Sequence, residues 1–96
     1  MPATPEKLAS FRQDWKNERF RTHMLAIRVA AESAGGDTLK AWRAHLGAVW
    51  GDGTLRTQAE VAQMLGWSLE RVHAAMDAVD PMVGHIMRLW EDSKRD

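Results

Sequence analysis

The residue types able to do chemistry in this 96-residue chain are few and poorly grouped for catalysis. His23, His45, His73 and His85 include no HExxH and no pair at i, i+4, and the chain has no cysteine to join them. The spacing of a zinc site is therefore missing. The GDG at 51–53 lacks the Lys-Ser/Thr that lets a glycine loop cradle a phosphate. Ser10, Ser33, Ser68 and Ser93 suit caps or surface positions, and none has a sequence signature of an activated nucleophile. No catalytic residue, metal or cofactor is expected. Attention falls on TQAEVAQMLGWSLERVHAAM at 57–76, where caps, a glycine and polar side chains recur at helical spacing.

Elements must position that stretch. One domain of 96 residues, 45% hydrophobic and 27% charged, can bury a modest core, and five tryptophans enlarge it from few positions. Thr4-Pro5-Glu6 starts a helix, and Gly35-Gly36 ends the pattern near Ala34. On one continuous wheel Leu8, Phe11, Trp15, Ala26 and Val29 share a side, with Phe20, Met24, Ile27 and Ala31 opposite. Either the helix is apolar on two faces or it breaks near Asn17. Asp37 is expected to cap a helix through Trp50, whose Leu39, Trp42, Leu46, Val49 and Trp50 form a core stripe. Thr54-Leu55-Arg56 suits an extended segment. Ser68 caps a helix with Leu69, Val72, Met76 and Val79 inward.

Asp80-Pro81 stops that helix and starts the last element, with Val83, Ile86 and Trp90 inward and 93–96 fraying. The competing reading is a short β-wing pairing 54–56 with 85–90. The expected fold is a mainly α, single small domain of four to five helices: a long helical region over 1–36, a core helix over 37–50, a helix–turn–helix over 57–79, and a helix or wing over 80–92. No stretch reaches membrane-spanning length, and the N-terminus has no apolar run suited to a signal peptide. A cytoplasmic location is expected.

Within 57–76, Thr57 and Glu60 form a capping box, Ala62 is small where two helices approach, and Gly66 tolerates positive φ. Val61, Leu65 and Val72 can lock the interhelical angle. Gln58, Ala62, Leu65, Gly66, Ser68 and Val72 fall where the helix-turn-helix family of DNA-binding domains places such residues, and the stretch resembles that family; the flanks TLRT and GHIMRLWED are compatible with its winged subclass. The resemblance covers 57–79 and implies double-stranded DNA as partner. The helix opened by Ser68 would enter the major groove, reading bases with Ser68, Glu70, Arg71, His73 and Ala74. Arg56, Thr57 and Gln58 would hold phosphate. Trp67 is then a wedge beneath the second helix, the alternative being an exposed anchor.

Charge complicates this reading. Lys+Arg and Asp+Glu balance at 13 each, and residues 51–80 hold two cations against five anions, whereas 1–50 hold eight against five. A DNA grip must then come from a homodimer or from a basic stripe, for which Arg12, Lys16, Arg19 and His23 have helical spacing. The other reading of that stripe is a solvated face balanced by Asp14 and Glu18. Met82, Met87 and Trp90 can line a dimer seam or finish the core. The function expected is a small dimeric transcriptional or plasmid/phage-type regulator. The alternative is a protein-binding module, an adaptor or inhibitor, that uses the same helices as scaffold.

Overall fold

The computed structural model describes residues 4–95. These form six α-helices, with no strand among them: α1 Pro5–Trp15, α2 Glu18–Ala34, α3 Gly36–His45, α4 Gln58–Leu65, α5 Leu69–Asp77 and α6 Asp80–Ser93, with a 3₁₀ turn at Gly47–Trp50. The mainly α, small-domain expectation holds. The first helix is two, because the Asn17 side chain leaves the helix and accepts from the Phe20 amide at 3.0 Å. A side-chain acceptor here offers the backbone an alternative to the helical ladder. Of the two α2 residues placed with Leu8, Phe11 and Trp15 by a continuous wheel, Ala26 is buried at 3% while Val29 is 55% exposed.

Two apolar clusters divide the molecule. In the first, Met24, Ala26, Ile27, Ala30 and Ala31 of α2 meet Val49, Val79 and Val83, with Phe11, Trp15, Phe20, Trp50, Ile86 and Met87 against them. In the second, Ala41 and Ala44 of α3 meet Val61 and Ala62 of α4 and Val72, Ala75 and Met76 of α5. Val61 and Val72 are fully enclosed, each contributing about 1.5–3 kcal/mol of apolar transfer. Trp42 touches both clusters and donates its indole N–H to the Met76 carbonyl at 3.0 Å, tying α3 to the end of α5. The resulting body measures 47 × 29 × 17 Å.

Several local expectations are corrected. Asp37 is not a cap: Gly35, at φ 65°, precedes α3 without a side-chain hydrogen bond, and Asp37 lies in the first turn. The helix expected to reach Trp50 stops at His45, and Leu46 (φ −123°, ψ 49°) diverts the chain into the 3₁₀ turn. The wing is absent because 85–90 is helical within α6. Thr54–Arg56 instead runs back along 45–48, with Ala48 N–H on the Thr54 carbonyl at 2.8 Å and Arg56 N–H on the His45 carbonyl at 2.9 Å. Leu69, expected inward, is 45% exposed. The tail is helical through Ser93, and Lys94 holds Glu18 at 2.7 Å, while Asp96 lies outside the described residues. No helix of the described residues is long and apolar enough to cross a membrane.

Candidate nucleic-acid interface

The α4–α5 corner is built by local chemistry. Thr57 Oγ1 accepts from the Glu60 amide at 3.1 Å while Glu60 Oε1 accepts from the Thr57 amide at 3.0 Å, a complete capping box. At the other end Gly66 adopts φ 69°, ψ 31°. Trp67 N–H then reaches the Ala62 carbonyl at 3.0 Å and Gly66 N–H reaches the Gln63 carbonyl at 3.4 Å. That pair of bonds is a Schellman turn, whose usual apolar contact Trp67 makes by packing on the second cluster. Ser68 Oγ next accepts from the Arg71 amide at 3.1 Å and opens α5. Trp67 is half-buried, so it is both wedge and surface.

Val72, Ala75 and Met76 turn inward from α5, and Ser68, Glu70, Arg71, His73, Ala74 and Asp77 remain exposed together on its outer side. Arg71 is already engaged there. Its Nε and Nη2 donate to Asp37 Oδ2 at 3.2 and 3.1 Å, and its guanidinium carbon lies 4.1 Å from the centre of the Trp67 ring. The guanidinium is thus held between a carboxylate and an aromatic face through Nε and Nη2, with no hydrogen bond from Nη1 among the described residues. This geometry fixes the direction of the fork and offsets its charge.

The residues expected to hold phosphate fare differently. Arg56 Nη1 donates to the Ala44 carbonyl at 3.1 Å, so this side chain braces α3 from a part-buried position. Thr57 and Gln58 do sit at the start of α4, but the Glu60 carboxylate occupies the same end. The Thr57 amide, followed by the Thr57 hydroxyl, holds that carboxyl below its ordinary value of 4.5, so it is charged at neutral pH. A carboxylate there competes with an incoming phosphate for the same dipole end.

The basic stripe is split by the Asn17 break. Arg12 and Lys16 border a cavity with Trp15, Arg28 and Trp50, whereas Arg19 and His23 border another with Asp14, Asn17 and Phe20. Arg19 also pairs with Glu91 at 2.8 Å. The four exposed side chains of the stripe are thus divided between two cavities.

Sequence spacing missed two contacts of this site, Arg71 with Asp37 and Arg71 over Trp67. Asp37 is 34 positions from Arg71, and nothing local marks the pair. Trp67 and Arg71 stand at i, i+4 across a helix start, a signal that points to the stacking in retrospect. No group of histidine and carboxylate side chains among the described residues has a metal-binding arrangement. Comparison with family models, curated proteins and solved structures found no match to this chain.

Proposed function

We propose that this chain is a small, non-catalytic, cytoplasmic DNA-binding protein that reads double-stranded DNA as a dimer, a regulator of the transcriptional or plasmid/phage kind. The observation that carries the reading is the α4–Gly66–α5 corner seated on α3, which leaves the outer side of α5 uncovered. Arg71 would present its free Nη1 to a guanine, pre-oriented by Asp37 and Trp67, and Glu70 would accept from cytosine. Ser68, His73 and Ala74 complete the reading face. With zero net charge, and with Arg56 and Glu60 committed as above, one copy has little phosphate grip. Two copies on a palindromic site supply it.

Selection of bound duplexes from a random pool, at low and physiological salt, tests this directly. A two-fold-symmetric enriched site supports the reading, as does an affinity that falls steeply with salt. No retention at low salt ends it.

A protein-binding role is the second reading, favoured by the apolar side chains left outside: Leu25 at 42%, Val29 at 55%, Met82 at 40% and Leu89 at 57% exposure. Under that reading α4 and α5 are scaffold, and charge reversals on α5 leave binding unchanged.

A further inference from the structure

The cavity between α1, α2 and the 3₁₀ turn is lined by aromatic and cationic side chains together. Its volume is about 680 Å³, within the range of small-molecule sites. Phe11, Trp15 and Trp50 supply aromatic surface, and Arg12, Lys16 and Arg28 supply three cations, with no carboxylate among the lining residues. Neither Arg12 nor Lys16 has an ion-pair partner among the described residues.

The walls are held from behind. Trp50 Nε1 donates to Glu32 Oε1 at 3.0 Å, and Arg28 Nε donates to the same oxygen at 2.9 Å. Arg28 Nη1 donates to the Val49 carbonyl at 3.1 Å, and its guanidinium carbon lies 5.8 Å from the Trp50 ring centre. On the other side Arg21 Nη1 donates to the Trp15 carbonyl at 3.0 Å, and Trp15 lies against Phe11 with ring centres 5.5 Å apart. Glu32 offsets one of the three charges, which leaves Arg12 and Lys16 in surplus. Fixed aromatic walls beside unneutralised cations match a ligand that is both flat and anionic.

We infer that this cavity binds a small aromatic anion, a planar ring system bearing a phosphate or carboxylate. The ring lies against Trp15 and Trp50, and the anionic group meets Arg12 and Lys16. A nucleic-acid strand fits less well, because the cationic track does not continue: Arg19 and His23 face a separate cavity that includes Asp14. The site is independent of the α5 face, so failure of DNA reading leaves this inference standing.

Titration of ¹⁵N-labelled protein with 1-naphthyl phosphate tests it, with 1-naphthol and inorganic phosphate as controls. The indole N–H signals of Trp15 and Trp50 should shift saturably with a Kd below ~1 mM, and those of Trp42 and Trp67 should not. Each control should bind about tenfold more weakly, and Arg12→Glu with Lys16→Glu should weaken 1-naphthyl phosphate by about tenfold or more. Both substituted side chains are exposed, and an unchanged circular dichroism melt shows that the fold is intact. No saturable shift overturns the inference. So does binding that is unaffected by the charge reversal, which marks apolar adsorption, or inorganic phosphate binding as tightly as the naphthyl ester.

Discussion

Arg71 on α5 and Asp37 on α3 are joined through two hydrogen bonds to one carboxylate oxygen, at 3.2 and 3.1 Å, with Trp67 beneath the guanidinium. Both partners are about half exposed, so the pair adds at most about 1 kcal/mol to stability and matters chiefly for direction. Asp37→Ala should leave the urea midpoint nearly unchanged. In duplex selection it should relax base preference where Arg71 reads, while raising affinity for random duplex. Arg71→Ala should relax the same position and weaken both. Fluorescence anisotropy on matched and mismatched duplexes separates these outcomes.

Gly66 and Gly47 are both needed, for different reasons. At φ 69° a side chain on residue 66 meets no neighbour but strains the backbone, so Gly66→Ala should cost about 1–2 kcal/mol. Gly47 has open φ but no space, since an added Cβ runs into the Thr54 hydroxyl and comes within 3.2 Å of Asp52 Cβ. Gly47→Ala should displace the Thr54–Arg56 return segment. Hydrogen exchange at the Ala48 and Arg56 amides should speed up in Gly47→Ala and stay protected in Gly66→Ala.

Thr57→Ala removes one half of the capping box and should destabilise the fold by about 0.5–2 kcal/mol. The other half has a pH signature. Glu60 titrates below its ordinary 4.5 when folded, so its contribution is complete above that value and disappears as pH falls through the lower, folded value. Glu18 and Asp52 act with the same sign, held down by their hydrogen bonds with Lys94 and Arg43 respectively. Urea midpoints should drop below pH 4.5, and more shallowly in Glu60→Gln.

His45 acts in a higher window. Burial lowers its pKa from 6.5, against an opposing bond with the Arg56 backbone, and its Nδ1 is enclosed without a partner. The unfolded ring takes up a proton as pH falls through 6.5 while the folded ring resists. Stability should therefore decline from pH 6.5 downward until the folded value is reached. His45→Phe keeps a ring beside Trp42 and should flatten the urea-midpoint profile between pH 6.5 and 4.5.

Short-range chemistry made much of the α4–α5 corner legible in the residues alone. Thr57 with Glu60, Ser68 before Arg71, and Gly66 after Leu65 each satisfy backbone groups within a turn of themselves, so type and spacing suffice. Thr4 is similar, accepting from Lys7 at 3.2 Å. Val61, Val72 and Met76 were readable as inward too, though Leu69 on the same helix as the last two was not.

Only the tertiary structure decided what those helices face. Helical periodicity orders residues around their own axis but carries no information on which sector another element covers. Val29 and Leu69 therefore sit outside despite apolar spacing. The Asn17 cap divides α1 from α2, and Arg12 and Lys16 border a different cavity from Arg19 and His23. Asp37 met Arg71, and Arg28 met Trp50 and Val49, across separations of 34 and about 21 residues that no local pattern encodes. Caps and turns were set by neighbours in the chain; partners, exposure and the aromatic–cationic cavity were set by packing.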